Sequence, residues 1–304
     1  MAVSPGRRPT SSRPSSPARS DVPARSVKDE PQDAPTETRR RRLLYGRRKG
    51  PKLSVHQTQL LETLLPRLLL NLQSGADPRC YFVSSLRPCG EPDATLSDVW
   101  LEIGFGAGEH LLWQSEHHPN VGLIGAEPYI SGIAKLLSKL SPSSSGGEGQ
   151  DEEVPTQFGS IKQVSAPPHP NPLPRRGRGE NIRIYDNDAR DILEALPDTC
   201  LGRVFVLFPD PWPKSRHHKR RFIQTNMLDV LARVMKPDAE LRFASDDAAY
   251  AAWTLERMVA HPAFEWTAMR AQDWKTRPTD WPETRYEAKA LHGPPAYFSF
   301  QRKN

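Results

Sequence analysis

Hydrophobic positions change regime near residue 98 of the 304-residue chain. Between residues 53 and 72 leucines recur at helical spacing (Leu60, Leu61, Leu64, Leu65, Leu68, Leu69, Leu72), which predicts an amphipathic helix, perturbed near Pro66, that packs on the main domain. After Asp98 short apolar runs alternate with helical patterns. Strands are expected at 99–105, 121–127, 182–186, 203–208 and 240–245, with helices at about 107–117, 130–140, 189–196, 219–235 and 248–260. Strand alternating with helix is the signature of a parallel sheet with right-handed crossovers. Two last strand candidates, 264–269 and 296–302, have no long helix between them and suit an antiparallel pair.

Two stretches fit neither pattern. Residues 1–42 are Pro, Ser and Arg with almost no large apolar side chains, and 141–180 show no sustained periodicity where a connection of roughly 2–6 residues is usual. Neither buries enough apolar surface to offset its ordering entropy. The first is expected to be a disordered tail, the second a low-complexity insertion in a domain spanning 43–304. Charge sharpens the division: the first 50 residues hold 13 Lys/Arg against 5 Asp/Glu, leaving 29 against 31 for the rest. The basic balance belongs to the tail, so any basic surface on the folded part must be local.

The tail lacks the apolar core of a secretory signal, and Asp29, Glu30, Asp33 and Glu37 disfavour an organellar presequence. No uncharged apolar stretch approaches the roughly 18 residues of a membrane span. A cytoplasmic protein with no membrane partner is expected. Cys80, Cys89 and Cys200 make neither an even disulfide framework nor a CxxC pair, so isolated thiols and no metal are expected.

Candidate chemistry gathers after the strands. "LEIGFGAGEH" puts Gly104, Gly106 and Gly108 between a strand and a helix, where glycine lets backbone approach a ligand and free N–H groups point outward. The spacing is G-x-G-x-G, unlike the G-x-G-x-x-G of dinucleotide enzymes, which disfavours a nicotinamide dehydrogenase. Glu102, just ahead of the turn, can accept from a cationic amine and would repel a pyrophosphate. Glu127, ending the second strand, can accept both hydroxyls of a ribose. Asp188, followed by Ala189, stands after the third strand at the same edge, placed to meet an adenine amine. Together they favour S-adenosylmethionine over NAD.

The fourth strand runs into "LFPDPWPKSRHHKRR". Pro209, Pro211 and Pro213 fix their own φ and push Phe208, Asp210 and Trp212 toward extended backbone, so Asp210 is expected to be held rigidly at the ligand cleft. It has three readings. Asp210 could accept the N–H of an exocyclic amine under methylation, orient a guanine through N1 and N2 while balancing the charge formed at N7, or merely cap the next helix. The strip Lys214, Arg216, Lys219, Arg220 and Arg221 suits a phosphate backbone.

These segments, with "GAEPY", "NDAR", "ASDDAAYA" and "TRYEAKALHGP", fall in an order that resembles the tRNA (guanine-N7-)-methyltransferase family over roughly residues 47–303, the insertion excepted. The resemblance implies an α/β class I methyltransferase (Rossmann-like) fold: a mostly parallel seven-stranded sheet, helices on both faces, and a C-terminal antiparallel strand pair. It implies transfer of a methyl group from S-adenosyl-L-methionine to N7 of a guanine in the tRNA variable loop, leaving S-adenosyl-L-homocysteine. By matching position, Glu102, Gly104, Gly106, Gly108, Glu127, Asp188, Ala189 and Asp210 would line the cofactor site, with Asp210 catalytic. Lys214, Asp246, Thr284, Arg285, Tyr286 and Glu287 would meet the substrate, and Arg216, His217, His218, Lys219, Arg220 and Arg221 the RNA. "SDD" stands where the family often has Thr-Asp, which makes Asp247 a rival to Asp246. A methyltransferase acting on an amino group of another nucleic acid or protein, and a non-catalytic RNA-binding module, are the alternatives; the protein is expected to be a monomer or homodimer.

Overall fold

The computed structural model describes residues 50–82, 92–141, 179–289 and 292–304, with the side chains of Tyr286 and Lys289 left out. The predicted tail, nearly all of the predicted insertion, and Cys89 lie outside the described residues.

Ser54 opens the first helix with a reciprocal capping box to Gln57, satisfying two backbone donors at once. That helix, α1 (Val55–Thr63), gives way at Leu64 to the short α2 (Leu65–Leu68) with Pro66 in its first turn. The perturbation falls where it was expected, near Pro66, but the helical extent to residue 72 is corrected. The chain beyond α2 becomes extended, and Leu70 donates its N–H to Ile184. The leucines still serve as packing residues: Leu60, Leu65 and Leu68 are buried.

The remaining elements follow the expected alternation: β1 (Asp98–Ile103), α3 (Glu109–His117), β2 (Val121–Ala126), α4 (Ile130–Leu140), β3 (Ile182–Tyr185), α5 (Ala189–Ala195), β4 (Leu201–Leu207), α6 (Thr225–Val234), β5 (Met235–Ser245), α7 (Ala248–Ala260), β6 (Phe264–Trp266), α8 (Gln272–Lys275), α9 (Arg285–Lys289) and β7 (Ala296–Arg302). The strands form one seven-stranded sheet in the order β3-β2-β1-β4-β5-β7-β6. The first five run parallel, while β7 is antiparallel to both β5 and β6. This is the class I methyltransferase order, and the C-terminal antiparallel pair is present.

Side chains alternate along β1, so Val99, Leu101 and Ile103 join the core under α5, α6 and α7, while Trp100 joins the opposite core with α3 and α4. Glu102 has the parity of Trp100. Strand order reverses between β1 and β4, which places the ligand crevice outside their carboxyl ends.

The expected helix over 219–235 is corrected. Residues Ser215–Arg220 form a 3-10 helix, and the α-helix begins only at Thr225. Among the described residues no helix is long and apolar enough to cross a membrane, and no cluster of His, Cys, Asp and Glu has metal-binding geometry.

Candidate active site

The glycine turn is built at the crevice. Gly104, Gly106 and Gly108 all have positive φ, and Gly108 is the residue capping α3. Beside Gly104 the space is open: a Cβ there would meet nothing within 4 Å. Behind the turn the packing is close, since a Cβ on Gly132 of α4 would lie 2.3 Å from the Gly106 carbonyl oxygen. Glu127 fastens the turn, its Oε2 accepting from the Gly106 N–H at 2.8 Å and its Oε1 from the Tyr129 N–H at 2.9 Å.

Glu127 is 8% exposed, and burial pushes its carboxyl up to about 7. The two backbone donors pull the other way, while the charges of Asp210 and Glu102 push it further up. Glu102, Glu127 and Asp210, brought from the ends of three strands, thus share one field.

Glu102 has a partner that sequence reasoning missed. Its Oε2 lies 2.9 Å from His110 Nδ1, and both side chains are almost fully buried. His110 Nε2 lies 3.1 Å from Gln114 Nε2, which also donates to the Asp280 carbonyl at 3.0 Å. That carbonyl requires a donor, so the Gln114 amide nitrogen faces it, and His110 then accepts through Nε2 and donates from Nδ1–H to Glu102. The ring sits edge-on to Phe205 and Trp281. The only sequence signal was a histidine in the first turn after the glycines.

Asp188 caps α5, accepting from the Arg190 N–H, and also holds the Arg190 guanidinium through both carboxylate oxygens. Its expected adenine contact therefore competes with an arginine two residues on. Ala189 opens the helix and is buried.

The proline loop departs from expectation. Phe208 and Trp212, each preceding a proline, adopt φ +49° and +45° rather than extended backbone. Positive φ at bulky residues is strained, and such strain persists only where its surroundings impose it. Asp210 between them is exposed. It lines a cavity of ≈ 230 Å³ with Asp188, Trp212, Lys219 and Arg220, so the acid and the basic strip share one site.

The strip itself divides by the three-residue repeat of its 3-10 helix. Lys214, Arg216 and Lys219 are exposed. His217 and Arg220 lie against Trp212, with the Arg220 guanidinium 4.9 Å from the ring centre. His218 packs on Trp253. Arg221 is only 3% exposed. Its side chain, expected among the RNA contacts, lies largely inside the fold, at the wall of the same cavity.

Of the predicted substrate residues, Asp246 accepts from the His292 N–H, whereas its rival Asp247 caps α7 through the Tyr250 N–H at 2.7 Å. Thr284 and Glu287 bond each other's backbone N–H in a capping box, and Glu287 also holds Arg277 and the Tyr297 hydroxyl. Arg285 reaches Glu109 at the start of α3. Glu109 also pairs with Lys139, whose amine donates to the Ala107 carbonyl of the glycine turn. The C-terminal segment and the turn thus meet at one carboxylate. The predicted role of Tyr286 lies outside the described side chains.

The family model "Putative methyltransferase" matches residues 97–298. A tRNA (guanine-N(7)-)-methyltransferase of Rhodospirillum rubrum is 44% identical over 274 residues, covering 89% of this chain and 91% of its own. Its counterpart from Granulibacter bethesdensis is 44% identical over 262 residues, covering 86% and 95%. Among solved structures, the 16S rRNA methyltransferase KamB aligns at 15% identity and a TM-score of 0.43, over 69% of this chain and 90% of that one. The fold rests on the strand order above.

Proposed function

The chain belongs to the tRNA (guanine-N(7)-)-methyltransferase family, and from that membership we propose that it transfers the methyl group of S-adenosyl-L-methionine to N7 of a guanine in tRNA, in the cytoplasm. The residues suit that donor. Glu102, Glu127 and Asp210 offer negative charge to a ligand carrying an amine and a sulfonium, and the open space beside Gly104 leaves room for it to approach the backbone. S-adenosyl-L-methionine, when bound, supplies an electrophilic methyl carbon. We assign Glu102 to its amine, Glu127 to its ribose, and Gly104, Gly106 and Gly108 to the approach of the chain. Asp188 and Ala189 are assigned to the adenine side, which requires Arg190 to yield an oxygen of Asp188.

At N7 the attacking lone pair carries no proton, so attack needs no base. Asp210 is assigned to orient the guanine through its N1 and N2 hydrogens and to offset the positive charge that methylation leaves on the ring. Lys214, Asp246, Thr284, Arg285, Tyr286 and Glu287 are assigned to the substrate. Arg216, Lys219 and Arg220, with His217 and His218, are assigned to the RNA.

One observation carries the reading: Asp210 and the basic strip line the same cavity, next to the acids of the glycine turn. Incubation with labelled donor and bulk tRNA is expected to yield 7-methylguanosine, and Asp210→Asn to lose at least tenfold in kcat with tRNA affinity kept. Product on an exocyclic amine instead would transfer the assignment to the amino-group class; tRNA binding without any methylation would leave a binding module.

A further inference from the structure

We propose that Arg221, although it ends the basic strip, is not a phosphate contact but a positioning residue that holds Asp210 through the proline loop; this rests on the assignment of Asp210 to the reacting centre. The sequence offers five cations within eight residues as one charged patch. The 3-10 repeat turns residues 218 and 221 to the same side, and that side faces α7.

There the Arg221 guanidinium lies 4.9 Å from the Tyr250 ring centre and 5.0 Å from that of Trp253. Its Nε donates to the Pro211 carbonyl at 2.8 Å. The chain just after it is pinned to the same helix: the Tyr250 hydroxyl accepts from the Phe222 and Ile223 N–H groups, and Trp253 Nε1 donates to the Ile223 carbonyl. Gln224 Nε2 closes the corner by donating to the carbonyls of His218 and Arg221. Arg221 is thus held from α7 and presents one directed donor to the loop.

That donor meets the loop at its strained point. Pro211 stands between Asp210 and Trp212, whose φ of +45° before a proline is unfavourable for a bulky residue. A hydrogen bond to the intervening carbonyl opposes relaxation of Trp212 toward extended backbone, a change that would swing Asp210, two residues away. Arg221 stands in the wall of the cavity that Asp210 and Lys219 also line, and its Nη2 has no hydrogen-bond partner among the described residues, but at 3% exposure and packed against two rings the guanidinium is closed to an incoming phosphate. Arg216 and Lys219, by contrast, are exposed, and the Arg216 Nε reaches its neighbour His217.

The two roles separate in kinetics. A phosphate contact sets tRNA affinity and its salt slope, about 0.9 in log–log terms per phosphate. A positioning residue sets kcat, because displacing a reacting group by about 1 Å can cost on the order of a hundredfold. The test measures kcat, the KM for tRNA, and the salt slope of tRNA binding for Arg221→Ala, Arg221→Lys and Trp253→Leu, beside Lys219→Ala and Asp210→Asn.

The expected result is that Arg221→Ala lowers kcat roughly 10- to 100-fold with KM and slope unchanged. Trp253→Leu, which removes one wall of the cage, should do the same more mildly, while Lys219→Ala reduces the slope by about one and raises the KM for tRNA. Arg221→Lys decides if the alanine variant does not fold. Lysine keeps the charge but neither stacks as a plane nor directs a fixed Nε donor, so a phosphate contact is rescued and a positioning role is not. A reduced slope at normal kcat in Arg221→Ala, or full rescue by lysine, overturns the proposal. Undiminished turnover in Asp210→Asn would instead remove its premise, an outcome read independently of the Arg221 variants.

Discussion

Glu127 makes the pH dependence of this protein calculable. Its carboxyl is raised from an ordinary 4.5 to about 7, mainly by burial. At roughly 1.4 kcal/mol per pH unit, that gap is worth about 3 kcal/mol. An acid raised in the folded chain holds its proton more tightly there than when unfolded, so stability is highest with the proton on and falls as pH climbs from about 4.5 to 7. The carboxyls of Asp77, Glu109, Asp273 and Asp280 are lowered, so their contributions are lost only below about pH 4.5. His118 and His217 are lowered from 6.5, and stability from them is lost as pH falls below that value, opposing Glu127 inside the window. The measurement is therefore a difference: melting temperatures of wild type and Glu127→Gln from pH 5 to 7.5, in which the histidine terms cancel. Wild type is expected to lose roughly 6–12 °C relative to the variant across that range. A cationic ligand prefers the charged carboxylate, so affinity for S-adenosyl-L-methionine should drop about tenfold per pH unit below 7 in wild type and stay flat in the variant. Parallel melting curves, or a donor affinity independent of pH in wild type, would refute the shared acidic field.

Three further outcomes are expected. His110→Phe keeps a ring beside Phe205 and Trp281 but removes the donor to Glu102; calorimetry should show S-adenosyl-L-methionine binding about tenfold weaker, with His110→Asn, whose amide reproduces the Nδ1 donor, restoring most of it. Equal binding by all three would assign His110 to packing alone. Deleting 1–42 and 142–178 should leave a folded domain within a few degrees of the full chain's melting temperature and still active, and a collapse would show that those segments complete the core. Glu109→Gln should loosen both Lys139 and Arg285, and a double-mutant cycle with Arg285→Ala should give a coupling below about 1 kcal/mol, because the pair is partly exposed.

What the sequence made legible follows from periodicity. β1, β2 and the C-terminal part of β4 are apolar runs buried on both faces, and the turn after the first is marked by glycines that no other residue replaces cheaply. The helix type of the basic strip is not legible in the sequence, because a run of cations carries no hydrophobic phase. An α-helix from 219 and a 3-10 helix from 215 are equally compatible with "KSRHHKRR", and only the aromatic residues of α7, some thirty positions on, select the second. The same distance problem hid Glu102 and His110: each is ordinary in its own element, and their pairing appears only when α3 packs on the face of β1 that Trp100 occupies.

Local rules also met a tertiary override at the proline loop. Three alternating prolines predict extended residues before each, yet Phe208 and Trp212 sit at positive φ. Phe208 donates its N–H to the Ala244 carbonyl, so the ladder with β5 continues up to the first strained residue. On the far side of Asp210, Arg221 holds the Pro211 carbonyl and Arg220 stacks on the Trp212 ring. The chain on either side of Asp210 is thus tied to β5 through Phe208 and to α7 through Arg221. The prolines remove the loop's freedom to fluctuate, but they do not choose its conformation; the sheet edge and the arginines choose it. Sequence identifies the acid set among prolines, and the direction in which that acid points is a property of the packed domain.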